Sequence, residues 1–182
     1  TGSTRHSRRV ASHRMTPALA GRTVLVTRPL QQAAALSQAI RAAGGASIEF
    51  PALTIEAVPL ERLRTSLEQL TAADIVIFIS PNAAQFGLAA IRSAGQTLPA
   101  TGVFAVGPGT TRALQAQGVA EIITPQGQDS EALLALPQLQ EVAGKRVVIV
   151  RGVGGRALLA DTLRARGAEV HFLECYQRRR PH

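Results

Sequence analysis

Apolar residues in this chain fall into short unbroken runs, separated by segments with helical spacing. Asp74-Ile-Val-Ile-Phe-Ile79 and Arg146-Val-Val-Ile-Val-Arg151 carry β-branched and aromatic residues with no polar break. Such runs mark strands buried on both faces, as in a parallel sheet. Thr23-Val-Leu-Val-Thr-Arg-Pro29 reads as another buried strand, ending in a proline stop, and Val103-Phe-Ala-Val106 and Glu121-Ile-Ile-Thr124 as shorter ones. Between them, Gln31–Ala43 sets Ala34, Leu36, Ile40 and Ala43 near helical spacing and ends at Gly44-Gly45. Leu60–Leu70 places Leu60, Leu63, Leu67 and Leu70 on one face, Asn82–Ala94 closes at Gly95, and Thr110–Gln117 closes at Gly118. A further helix is predicted from Ser130 to about Glu141, capped by Ser130 or Asp129, and a last one at Ala157–Leu163. Strands alternate with helices throughout, which predicts an α/β fold with a parallel sheet covered on both faces.

Two segments depart from this pattern. Ser47–Val58 reads as extended, with Pro51 inside it and Pro59 after it, and proline in a strand marks an edge or an exposed crossing. Val170–Arg179 reads as too long for one sheet strand and turns polar. Together they predict a two-stranded connector, 52–59 and 170–180, joining a complete α/β domain at 60–169 to a second domain that begins at 21–51. One βα unit and a strand cannot bury a core. The second domain is therefore expected to be incomplete here, or to depend on something outside the chain. Residues 1–20 show no apolar period and are expected to be a disordered leader or tag, with Met15 as the true start.

Charge changes the picture little. The net charge of +8 suggests a nucleic-acid partner, but Arg5, Arg8, Arg9 and Arg14 lie in the head and Arg178, Arg179 and Arg180 at the other end. Without those, the basic residues nearly match the 12 acidic ones, and a basic face on a folded body is not expected. No apolar run is long enough to span a membrane, no secretory signal is visible, and the lone Cys175 cannot form an internal disulfide. These features predict a cytoplasmic protein without nucleic-acid or membrane partners.

The chemistry is expected at one sheet edge. Right-handed crossovers bring the loops after the strands to the same side, where open α/β sheets bind ligands. Those loops are Ser80-Pro-Asn-Ala83, Gly107-Pro-Gly-Thr110, Gln126-Gly-Gln-Asp-Ser130 and Arg151-Gly-Val-Gly-Gly-Arg156. They are rich in small and hydroxyl residues, poor in acids, and followed by helix N-termini, which together suit an anion. Ser80 and Thr110 can donate hydroxyl hydrogen bonds or cap helices, and Gly152, Gly154 and Gly155 let backbone N–H groups come close. A rival reading takes Gly152-Val-Gly-Gly-Arg-Ala157, with Glu174 at the end of the next strand, as a dinucleotide fingerprint. Such a fingerprint normally opens its domain, whereas this one closes it. Catalytic side chains are scarce. His6, His13 and His182 lie in the tails, His171 reads as packed in a strand, and no metal-ligand set or C-x-x-C is present. Tyr176 is either an ordinary buried aromatic or, facing a cleft, a hydroxyl donor to a leaving group.

The order Leu25-Val-Thr-Arg-Pro29, Phe50-Pro51, Ile77-Phe-Ile-Ser-Pro-Asn-Ala83, Ala105-Val-Gly-Pro-Gly-Thr110, Gly144-Lys-Arg-Val-Val-Ile-Val-Arg-Gly152 and Glu174-Cys-Tyr-Gln-Arg178 resembles the bacterial uroporphyrinogen-III synthases. The resemblance implies two flavodoxin-like domains joined by a β-ladder, one inserted into the other. It implies cyclisation of hydroxymethylbilane with inversion of the terminal pyrrole ring and loss of water, by a monomer with no metal or organic cofactor. The substrate's eight carboxylates would explain an anion pocket built of loops. Tyr176 matches a cleft tyrosine proposed to assist departure of the hydroxyl. Ser80, Asn82, Gly109, Thr110, Arg151, Gly152, Gly154 and Gly155 then fall in substrate-binding loops, and Arg28 in the corresponding loop of the other domain. Ile79 stands where many members have threonine. The alternative to a synthase is a non-catalytic flavodoxin-like or Rossmann-like module for an anionic metabolite or dinucleotide.

Overall fold

The computed structural model describes residues 17–99, 102–155 and 157–181. The expected leader up to residue 16, with Met15, and Arg156 of the glycine-rich loop lie outside them, as do His6, His13 and His182. The chain divides into two compact units: Ile55–Arg179 is one, and the residues up to Thr54, together with those from Arg180 on, make the other.

In the smaller unit, β1 (Thr23–Val26) pairs in parallel with β2 (Ala46–Glu49), and α1 (Leu30–Ala42) joins them. Val26, Ala33 and Ile40 form a small core, with Leu19 and Val24 packed against it. Residues 17–20 therefore do not belong to the expected loose leader; Leu19 N–H also donates to the Ala43 carbonyl. The buried strand expected at Thr23–Pro29 is shorter and half open. One helix covers one face of a two-stranded sheet, so Leu25 (56%), Ile48 (54%) and Phe50 (65%) remain exposed.

The larger unit is a five-stranded sheet. β3 (Thr54–Ala57) leads into α2 (Leu60–Leu70), β4 (Ile75–Phe78) and α3 (Pro81–Ser93). β5 (Val103–Ala105), α4 (Pro108–Gln115) and α5 (Ser130–Leu134) follow, then β6 (Arg146–Gly152), α6 (Leu158–Ala165) and β7 (Glu169–Arg179). The strand order is β3-β7-β6-β4-β5, with β5, β4, β6 and β7 mutually parallel. β4 is buried along its whole length and β6 from Val147 on, as apolar runs without alternation require. Leu63, Leu67 and Leu70 bury the apolar face of α2.

Three expectations fail here for local reasons. The strand at Glu121–Thr124 reduces to a single bridge between Ile123 and Phe104, beside a β5 of three residues. The helix expected from Ser130 to Glu141 stops at Leu134, and Pro137–Leu139 forms a separate 3₁₀ turn; Pro137 cannot continue the helical ladder. The segment judged too long for a sheet strand is one continuous strand, because β7 pairs with β6 from Glu169 to Tyr176 and also with β3.

The pairing of β7 with β6 is not uniform. Arg151 lies opposite Glu174, but Gly152 lies opposite Tyr176, so Cys175 is an extra residue. A bulge of this kind re-aims the side chain that follows it. Phe172, before the bulge, packs against the core cluster that includes Leu133 and Leu134 of α5 and Leu159, Ala160 and Leu163 of α6. Tyr176 would share that face in a regular strand. After the bulge it meets Phe86 of α3, with ring centroids 5.7 Å apart.

Candidate functional site

Strand-end loops of the larger unit converge, as their placement on one edge predicts. Ser80 caps α3 by accepting from the Ala83 N–H at 3.0 Å. The first turn of α4 lies beside it: a Cβ on Gly109 would stand 3.6 Å from Pro81 Cγ, and one on Gly107 would stand 3.3 Å from Gln128 Cα. Asp129, rather than Ser130, caps α5 by accepting from Ala132 N–H at 2.8 Å.

Tyr176 joins two of these loops. It is 3% exposed, and its hydroxyl lies 3.2 Å from Ser80 Oγ. Its ring covers Gly152 so closely that a Cβ there would come within 2.6 Å of the ring carbons. Glycine is required at 152 for this approach. Next to it, the Tyr176 carbonyl accepts from Val153 N–H at 2.7 Å, which ties the glycine-rich loop to β7.

Thr110 is buried in the first turn of α4, but the cap of that helix is Gly107, so Thr110 is not the N-cap that sequence suggested. Its neighbour Thr111 instead bonds Thr124 Oγ1 at 2.7 Å. Asn82 is half-buried and engaged in a contact of its own. Arg28 belongs to the smaller unit, exposed in the turn after β1.

The glycine-rich loop differs most from expectation. Gly154 N–H was expected to face an incoming anion; it donates to Glu174 Oε1 at 3.3 Å. Arg151 is 7% exposed and lies inside the fold rather than at the rim. Its Nε donates to the Gly152 carbonyl at 3.2 Å and stands 3.4 Å from Glu174 Oε1, and its guanidinium lies 4.5 Å from the centre of the Phe172 ring. Glu174, which the dinucleotide reading assigned to a ribose, is thus bonded to the loop and to Arg151. Its spacing suggested an acid near the loop, but only the strand pairing shows what it touches. His171 is not packed as expected: half-buried, it stands 2.8 Å from the exposed Glu169. Cys175 is buried, with its Sγ donating to the Arg151 carbonyl at 3.4 Å, and burial pushes its thiol up to about 12. Among the described residues no group of His, Cys, Asp and Glu could hold a metal ion, and no helix is long and apolar enough to cross a membrane.

A parallel α/β domain whose strand-end loops gather hydroxyls and glycines at one sheet edge belongs to the class of open α/β folds that bind ligands at that edge. The family model described as uroporphyrinogen-III synthase HemD matches residues 34–182, so the chain belongs to that family. It is 43% identical over 159 residues to the uroporphyrinogen-III synthase of Salmonella typhimurium, covering 86% of this chain and 65% of that protein. With the Escherichia coli protein of the same name it shares 40% over 161 residues, again covering 65% of that protein. The chain thus spans just under two thirds of the length of these relatives. The fold matches a crystal structure of a mutant uroporphyrinogen III synthase from Thermus thermophilus, with a TM-score of 0.70 at 21% identity, over 88% of this chain and 64% of that one.

Proposed function

We propose that this chain carries the cyclising activity of a uroporphyrinogen-III synthase: it closes hydroxymethylbilane with inversion of the terminal pyrrole ring and loss of water. The reading is supported by family membership and by one geometric observation, the Ser80–Tyr176 hydroxyl pair at the sheet edge. Ser80 Oγ already accepts from Ala83 N–H. When the Ser80 hydroxyl donates to the phenol oxygen, the phenolic proton is free for the departing hydroxyl of the substrate. Loss of that hydroxyl leaves a reactive azafulvene. The protein's main task is then to hold the chain so that the last ring attacks through its substituted carbon, which is chiefly a matter of positioning.

Ser80, Asn82, Gly109, Thr110, Gly152, Gly154 and Gly155 form the edge that faces substrate in this reading. Domain 60–169, with connector strands 52–59 and 170–180, is the unit that presents them. We take the protein to act as a cytoplasmic monomer on this small molecule, without nucleic acid or membrane. Tyr176→Phe, assayed with freshly prepared hydroxymethylbilane, is expected to lower turnover about a hundredfold with little change in KM. Unchanged turnover would remove Tyr176 from the chemistry.

A further inference from the structure

Cys175 is buried, reactive in type and unused by the proposed chemistry, and it sits where β7 breaks step with β6. Its side chain lies against α3: a Cβ on Gly87 would stand 3.6 Å from Sγ, and the Ala83 carbonyl is 3.9 Å away. The next residue, Tyr176, meets Phe86 of the same helix. Two consecutive residues of β7 therefore turn toward one helix. A regular strand sends them to opposite faces, and a bulge brings them to one.

The shift in pairing falls between Arg151 and Gly152 of β6. The carbonyl of that peptide link is the one the Cys175 thiol meets, at 3.4 Å. A thiol has one hydrogen to give, so this contact is the hydrogen bond and the longer approach to Ala83 is packing. Burial pushes the thiol up to about 12, so the hydrogen is in place at neutral pH. The bond is weak by itself; its place is what matters. Ala83 N–H donates to Ser80 Oγ at 3.0 Å, and Ser80 Oγ lies 3.2 Å from the Tyr176 hydroxyl. The thiol thus lies between the strand break that aims the phenol and the helix turn that carries its serine partner. On the other side of the same break, Gly152 leaves room for the ring.

We propose that Cys175 is a positioning residue for the cyclisation: its thiol, set between the Arg151 carbonyl and the first turn of α3, fixes the bulge that brings the Tyr176 hydroxyl to Ser80. It touches no reacting atom. The inference rests on the proposed function for what the phenol does, and on the strand pairing alone for how the phenol is held. A misplacement of about 1 Å at a reacting group costs turnover on the order of a hundredfold. A weak bond that prevents such a shift therefore counts for more in rate than in stability.

Cys175→Ser and Cys175→Ala are both no larger than cysteine, and only the first keeps a donor. Cys175→Ala is expected to lower kcat about tenfold with KM within about twofold, and Cys175→Ser to recover most of that loss. On a Tyr176→Phe background, Cys175→Ala is expected to cost nothing further, because it acts through the phenol. Equal losses in the two variants, a change confined to KM, or a full further loss on the Tyr176→Phe background would overturn the proposal. A second measurement needs no turnover. The chain has one tyrosine and no tryptophan, so the Tyr176 ring protons are readily assigned by NMR. Their cross-relaxation with the Gly152 α-protons is expected in the unaltered chain and in Cys175→Ser, and is expected to be lost in Cys175→Ala. Persistence of the full signal in Cys175→Ala would also overturn the proposal. Should Cys175→Ala fail to fold, Cys175→Val removes the donor while filling the space and is read in the same way. A chain that gives the expected NMR pattern yet forms no product would refute the synthase reading and leave the holding of Tyr176 by Cys175 intact.

Discussion

Gly152 and Tyr176 are a matched pair: the ring occupies the space a side chain at 152 would need. Gly152→Ala is expected to destabilise the fold by about 1–3 kcal/mol, through overpacking against a buried ring, as measured by denaturant unfolding. Ser80→Ala removes a helix cap and a phenol partner together, and is expected to cost about 1 kcal/mol of stability as well as activity. Cys175 gives a pH signature. Its thiol is raised from 9.0 to about 12 by burial, so the unfolded chain ionises it first. The stability from the neutral thiol is full below pH 9.0 and is lost as pH rises toward 12. Cys175→Ala should flatten the alkaline limb of the stability profile relative to the unaltered chain. A limb of unchanged slope would show that other groups set it. Ser80 and Tyr176 are identifiable as candidates from residue type and position alone. Their contact is not, because it spans 96 residues and depends on a one-residue bulge.

Among the elements, β4 and β6 are legible in sequence because a strand buried on both faces leaves an unbroken apolar run. α2 is legible because its leucines keep helical spacing on a buried face. β7 is not, because one strand serves as partner to β6 along its first part and pairs with β3 as well. Its polar end suggested a departure from the sheet. The loop after β6 is not legible for a related reason: a glycine motif says that backbone N–H groups are accessible, not that Glu174 on the neighbouring strand accepts from one of them. At the start of β7, hydrogen bonds from His171 and from Arg146 hold the exposed Glu169 carboxyl below its ordinary value of 4.5. A depressed carboxylate stabilises the fold above that value and loses its contribution as pH falls below it. Glu169→Gln is therefore expected to make the acid limb of the unfolding profile shallower. An unchanged limb would mean that the pairing contributes nothing in solution.

At the scale of the whole molecule, the smaller unit leaves Leu25, Ile48 and Phe50 exposed on a two-stranded sheet, while the larger one carries the main core. On the proposed function, the edge loops and the Ser80–Tyr176 pair serve one task, positioning the substrate, with little covalent chemistry demanded of the protein. The most direct measurement is the isomer composition of the product formed from freshly made hydroxymethylbilane, with the 182-residue chain and with the same chain extended to the length of its relatives. The account predicts the ring-inverted isomer in excess of the uninverted one that forms spontaneously. Only the uninverted isomer from both proteins would contradict it.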